Sequence, residues 1–245
     1  KIFPSMPVHP NAIAYVKNKN ILDNCAPHAK HPFILKLDFK DFFPSVKGED
    51  FLNYAKGNHD INLTEAELIM LMKILFWQPK REDGLRLSIG APSSPYLSNA
   101  IMYNFDSQME QHCSQIRINY TRYADDLTFS MEDSALRGLI LQKVKEVLNQ
   151  LPFPTLEINS RKTVFGSKAH RRMVTGLILS NDGDVSLGRD KKRYIRAQVH
   201  HFANGKLNDE QRDKLRGMLA YVRHIEPDFL NRLQKKYGSN IISSI

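Results

Sequence analysis

Cysteine is scarce in this chain: Cys25 and Cys113 are the two thiols among 245 residues. That is too few for a disulfide framework or a four-ligand zinc site, so small stapled scaffolds are excluded. Long apolar runs are missing as well. No stretch approaches the roughly 20 residues needed to cross a bilayer. No internal repeat, low-complexity tract or signal peptide is read. These absences predict a reduced, cytoplasmic protein with no membrane partner. The chain begins at Lys1 rather than Met, and native residues are expected ahead of it.

What is present is a sizeable core and an uneven charge. Apolar residues make up 42% of the chain, enough for one large domain or two tightly packed subdomains. Residues 1–160 carry 17 Lys/Arg against 18 Asp/Glu, and residues 161–245 carry 18 against 8. All the excess of the net +9 therefore sits in the last third. A solubilising surface is the bland reading, but such asymmetry points towards a polyanion partner.

The coarse pattern predicts a helix near Ile13 to Asp23, a buried strand over Phe33 to Leu37, and helix over 48–79. Lys80-Arg81-Glu82-Asp83-Gly84 marks a turn. A helix over 95–115 opens on Pro95, a favourable first-turn residue. Two strands, Ile118 to Arg122 and Leu127 to Ser130, flank a tight turn at Tyr123-Ala124-Asp125-Asp126. An amphipathic helix spans 134–150, with Leu136, Ile140, Val144 and Val147 on one face. Strands follow near Leu156–Ile158 and Met173–Leu179, and the rest is basic and helical from about Lys191. Strands interleaved with helices predict an α+β fold, one sheet covered by helices. The weakest join is near Asp182-Gly183-Asp184.

Two segments carry chemistry. Asp38 ends the apolar strand in Leu35-Lys36-Leu37-Asp38-Phe39-Lys40-Asp41-Phe42-Phe43. Asp125 and Asp126 sit at a turn between apolar strands. Carboxylates crowded at one sheet end repel and lose hydration unless a cation offsets them. Mg²⁺ suits such a set, because it takes oxygen ligands and keeps positions for substrate phosphates. Two such ions activate a 3′-hydroxyl and stabilise a pyrophosphate leaving group. A solvated hairpin turn is the competing reading of Asp125-Asp126.

Tyr123-Ala124-Asp125-Asp126 resembles the catalytic motif of reverse transcriptases, and the surroundings of Asp38 resemble their first palm motif. Gly90-Ala91-Pro92-Ser93-Ser94-Pro95-Tyr96-Leu97-Ser98-Asn99 is similar to the template- and nucleotide-contacting motif between them. The resemblance covers nearly the whole chain. It implies a right-hand fold, with partial fingers and palm over 1–182 (fingers mainly 1–31 and 48–89) and a basic helical thumb over 183–245. By resemblance Asp38, Asp125 and Asp126 hold two Mg²⁺, with Mn²⁺ as a substitute and the Phe39 carbonyl as a further ligand. Phe43 falls where the family places a steric gate against the ribose 2′-hydroxyl; core packing is the alternative. Gly90, Ala91, Pro92 and Ser93 would meet nucleotide and template. Lys162, in Asn159-Ser160-Arg161-Lys162-Thr163, would protonate or neutralise the leaving pyrophosphate; a surface lysine is the equal alternative. Ile89 departs from the family, which often has Gln there, so nucleotide affinity or fidelity should differ. The family's triphosphate-holding basic residues would precede Lys1.

Val174-Thr175-Gly176 and Asn24-Cys25-Ala26-Pro27-His28 resemble segments typical of bacterial retron enzymes, with Cys25 where the group has Ala. Arg193 to His201 and Arg216 to Val222 look like a retron thumb. The resemblance implies a structured noncoding RNA as template and primer, dNTPs, a branched RNA-linked DNA product, and an effector protein in anti-phage defence. Asn24, His28, Val174, Thr175, Gly176, Lys191, Lys192, Arg193 and Arg196 are the expected RNA contacts. His28 has a structural alternative, and each basic residue a solvated helix face. Three other readings stay open: a scaffold that binds RNA or an effector without synthesis, another bacterial reverse transcriptase branch, and another palm-fold enzyme such as a nucleotide cyclase.

Overall fold

The computed structural model describes residues 6–245, so residues 1–5 of the expected fingers segment lie outside the described residues. The chain opens with α1 (Ile21–Cys25), β1 (Phe33–Asp38), α2 (Phe42–Ser45), α3 (Gly48–Gly57), α4 (Glu65–Leu75), β2 (Phe76–Trp77) and β3 (Arg86–Leu87). Next come α5 (Ser94–Ile101), α6 (Tyr103–Gln115), β4 (Asn119–Tyr123), β5 (Asp126–Met131), α7 (Leu136–Gln150) and β6 (Val164–Ser167). A small sheet of β7 (Arg172–Val174), β8 (Leu177–Leu179) and β9 (Val185–Ser186) follows. The helices α8 (Arg189–Ala203), α9 (Asp209–Ile225), α10 (Pro227–Tyr237) and α11 (Ser239–Ser243) complete the fold.

The main sheet runs β4-β5-β1-β6 with antiparallel neighbours. β1 forms because an apolar run follows Pro32, whose ring biases the residue before it towards extended backbone. As an inner strand it is buried on both faces. Leu35 and Leu37 enter a core with Phe105, Met109, Leu127, Phe129, Ile140, Val144 and Val147, where α6 and α7 cover the sheet. Ile34 points the other way, into a core shared with Cys25, Val174, Leu177, Val199, Leu215 and Phe229. A third core holds Phe51, Leu68, Phe76, Leu87 and Leu97. The Asp182-Gly183-Asp184 segment lies in the turn between β8 and β9, and Leu179 and Leu187 on either side share the second core.

Several local expectations needed correction. No helix covers Ile13 to Asn20. Tyr15 and Asn18 take positive φ of 64° and 65°, and helix begins at Ile21 after Asn20, which caps it in a reciprocal pair with Asp23. The 48–79 helix is interrupted between Gly57 and Thr64, and it ends at Leu75. The 95–115 helix divides at Met102. Leu156–Ile158 makes one bridge, Phe39 to Ile158, rather than a strand. Met173–Leu179 is a hairpin, because Thr175 and Gly176 turn the chain with φ of 42° and 81°.

Candidate active site

The register of β1 on β5 sets Asp38 opposite Asp126. The β4–β5 turn is a two-residue reversal at Ala124 and Asp125, with Ala124 held at φ 57°. The left-handed region costs a non-glycine residue about 1 kcal/mol. The Asp125 carbonyl accepts the Phe39 N–H at 3.1 Å, which ties the turn to the end of β1. The third expected segment arrives through the Asp38 carbonyl, which accepts the Asn159 N–H at 2.8 Å. Lys162 then reaches back, and its Nζ donates to Asp38 Oδ2 at 3.0 Å. Sequence positions 38, 125, 126 and 162 thus meet at one sheet end.

The electrostatics match crowded carboxylates. Burial raises the pKa of Asp125, and the charge of Asp38 adds to it. Asp126 is likewise raised by burial first, with Asp125 and Asp38 adding to the effect and Lys36 opposing it. Hydrogen bonding and attraction from Asp38 raise Lys162, so it stays an ammonium. Asp38 is 6% exposed, and its Oδ1 is buried without a hydrogen-bond partner. An orphaned carboxylate oxygen beside two disfavoured anions fits a hard divalent cation. Among the described residues, no group of three or more His, Cys, Asp or Glu side chains is placed to hold a metal ion by itself. Mg²⁺ needs none, since one or two carboxylates plus substrate phosphates commonly hold it.

Phe42 and Phe43 divide the work. Phe42 is 3% exposed and stacks on Phe39 at 5.6 Å, whereas Phe43 is half-buried between two cores. Gly90 has φ 91° with open space where a Cβ would stand, and Ile89 is 75% exposed. Pro92 is exposed, and Ala91 and Ser93 are half-buried.

A buried network under the turn escaped the sequence reading. Arg122 and Asp106 are fully buried and paired at 2.6 Å. Tyr120 donates to Asp106 Oδ1 at 2.7 Å. The same guanidinium donates to Asn99 Oδ1 at 3.0 Å and to the Ala124 carbonyl at 3.1 Å. Asn99 in turn donates to the Ala14 carbonyl at 2.8 Å. This clamps the loop carrying Tyr15, which is 59% exposed and close enough to Asp125 for that charge to help raise its pKa, behind the effect of partial burial. Charged residues on an alternating strand look solvated from sequence, and nothing in the periodicity singles out Tyr15.

The two segments expected to meet RNA touch each other. Cys25 Sγ donates to the Val174 carbonyl at 3.1 Å and lies 3.2 Å from Thr175 Oγ1. An alanine at position 25 would lack both contacts. His28 corrects the expectation of direct RNA contact, because it is wholly buried. Its ring nitrogens bond Ser130 Oγ and Thr121 Oγ1, each at 2.8 Å, fastening α1's exit to β4 and β5. Val174 and Asn24 are also buried, the latter with no partner for its amide, while Gly176 is exposed. On α8, Lys191, Arg193 and Arg196 are exposed. Lys192 is not free: it pairs with Glu226 at 3.0 Å and bonds Ser186.

Burial depresses the His28 pKa from 6.5 to about 3. A histidine held neutral in the fold contributes stability above pH 6.5 that is lost as pH falls towards 3. By pH 5 the loss should approach ~2 kcal/mol. Urea denaturation of wild type and His28→Gln between pH 7 and 5 checks this. Parallel losses in the two proteins would show that His28 does not titrate this way.

Residues 1–179 match the family model described as reverse transcriptase (RNA-dependent DNA polymerase). Over 240 residues the chain is 43% identical to the Ec83 retron reverse transcriptase of Escherichia coli, spanning 97% of this chain and 77% of that one. The chain belongs to the retron-type reverse transcriptases. The Ec73 retron reverse transcriptase of Escherichia coli is 33% identical, with 98% of this chain and 78% of the relative covered. A foamy viral protease-reverse transcriptase, solved with an RNA/DNA hybrid, superposes with TM-score 0.52 at 14% identity, covering 94% of this chain and 29% of that one. That likeness concerns the fold alone, and it agrees with a right-hand reverse transcriptase architecture. This retron-type enzyme is an RNA-directed DNA polymerase by family. Among the described residues no helix is long and apolar enough to cross a membrane.

Proposed function

We propose that this reverse transcriptase extends a primer on its own structured RNA through Asp38, Asp125 and Asp126, with Mg²⁺ as the working ion and Mn²⁺ as a substitute. The observation that carries the reading is the convergence of these carboxylates at one sheet end, with Asp38 Oδ1 buried and unpartnered. Bound there, divalent ions supply Lewis-acid activation of a 3′-hydroxyl and charge neutralisation at the leaving phosphates. The chain's own residues do the rest. The β1–β5 register orients the carboxylates, the Phe39 N–H ties the turn to β1 and its carbonyl would serve as a further ligand, and the Lys162 ammonium would hold a proton near the phosphates' exit.

The Gly90–Ser93 loop, exposed at Gly90 and Pro92, offers backbone to nucleotide and template. The exposed face of α8, with Lys191, Arg193 and Arg196, suits phosphates of an RNA duplex or RNA–DNA hybrid. Residues 1–182 serve as fingers and palm, and 183–245 as thumb. The product is single-stranded DNA branched from the RNA, made in the bacterial cytoplasm and used with an effector in anti-phage defence. That part rests on the family resemblance alone.

The test is incorporation of labelled dNTP on a primed RNA template, with and without EDTA, followed by sequencing of the copurifying nucleic acid. Incorporation that survives EDTA sinks the metal assignment, and absence of a branched RNA–DNA species sinks the product assignment. Phe43→Ala should relax rejection of ribonucleotides by roughly 10–100-fold, the scale of a pocket's steric discrimination. Unchanged dNTP/rNTP ratios in kcat/KM would return Phe43 to a packing role.

A further inference from the structure

A cleft of about 630 Å³ lies between the β6–β7 turn, β8 and the start of α8. Lys168, His170, Arg171, Arg172, Arg189 and Lys192 contribute to its walls. Asp182 and Asp190 are the carboxylates that line it, and Asp190 lies 3.5 Å from Arg193. Lys192 already answers Glu226. Among the described residues, Lys168, Arg171, Arg172 and Arg189 have no ion pair.

Arg172 is the unusual member. It is 1% exposed, and its guanidinium donates to the carbonyls of Ala29, His31, Leu179 and Ser180. Among the described residues no carboxylate pairs with it, and its Nε is buried with no partner. Burial pushes its pKa down, as expected for a cation removed from water without a counter-charge. A buried charge ordinarily has an anion beside it.

The positive end of α8 opens onto the same cleft. Its N-cap, Gly188, has φ 84° and makes no side-chain cap bond. A Cβ there would stand 2.9 Å from Ile178 and 3.8 Å from Arg171 Nη2, so the position excludes a side chain and sets a guanidinium beside the helix start. A helix N-terminus with adjacent guanidinium forks matches tetrahedral oxyanions.

We propose that this cleft is a phosphate-binding site. Its occupant is a phosphodiester of bound RNA or a free phosphate group, held by Arg171, Lys168 and the α8 N-terminus over the buried charge of Arg172. Only the RNA source rests on the reading of this chain as an RNA-copying enzyme.

The test compares the full chain with the double variant Lys168→Gln/Arg171→Gln, whose side chains are exposed. Thermal melting is followed in inorganic phosphate against chloride at matched ionic strength, where site-specific binding raises Tm with concentration. Binding of the copurifying RNA is followed against salt. Free phosphate as the occupant predicts wild-type stabilisation, at least tenfold weaker binding in the variant, and an unchanged salt slope. A backbone phosphodiester predicts a slope reduced by about one in the variant. Equal phosphate stabilisation in both proteins, or none in either, together with an unchanged slope, overturns the site. Failure of wild type to extend a primer would sink the catalytic reading and leave the phosphate result standing.

Discussion

Asp125→Asn is expected to lower templated dNTP incorporation by about 10³-fold while making the protein melt higher. The rate loss corresponds to ~4 kcal/mol of transition-state stabilisation, a reasonable share for a charge proposed to hold a catalytic cation. The stability gain follows from the site's electrostatics. Burial and the neighbouring Asp38 raise the pKa of Asp125, so its charge is disfavoured in the folded state at neutral pH. Asparagine keeps the shape and removes the repulsion. Opposite signs in the two measurements are what distinguish a functional carboxylate from a structural one. A variant that keeps wild-type incorporation, or that melts lower while losing it, would contradict the assignment.

Asp106→Ala should be the most damaging single change to the fold. It strands the Arg122 guanidinium, which is fully buried, and removes the acceptor of the Tyr120 hydroxyl. Breaking one side of a buried pair costs roughly 3–5 kcal/mol. Total stability is only about 5–15 kcal/mol, so the variant should be marginal at 37 °C. Urea denaturation gives the number, and a loss under about 1 kcal/mol would show that Arg122 finds other solvation. The double variant Asp106→Leu/Arg122→Met should recover part of the loss, because neither charge is left alone. It should not recover full incorporation, since the tether from Arg122 to the Ala124 carbonyl is also gone.

The legible parts of this molecule are those with local signatures. Asp38 ends an apolar run, and Asp125 and Asp126 interrupt two others, so the strands and their turn were readable residue by residue. The α7 face was readable for the same reason. Readings failed where distant partners decide. Residues 13–20 have acceptable helical composition, but Ile13 pairs with Arg122 and Ala14 with Asn99, and those contacts take the chain away from helix. The Met173–Leu179 run is apolar at both ends, and Thr175-Gly176 in its middle was the one sign of its reversal. The inward roles of Arg122 and Arg172 were invisible because polar residues are placed outside by default, whereas a structural role for His28 was already one of two open readings. Lys192 looked like its neighbours until Glu226, 34 residues on, was seen to hold it.

The placement of β1 has a consequence for synthesis on the ribosome. Its partner β5 lies about ninety residues downstream, and β6 follows that. Its other face, through Ile34, joins a core that also includes residues as late as Phe229 and Ile245. Asp38 therefore emerges early on a strand whose two flanks and one face are still untranslated. Such high contact order slows assembly and leaves Phe33 to Leu37 open to wrong pairing in the interim. Shortening the chain from its C-terminal end should accordingly show first as aggregation of nascent protein, before any change in the chemistry of a folded molecule.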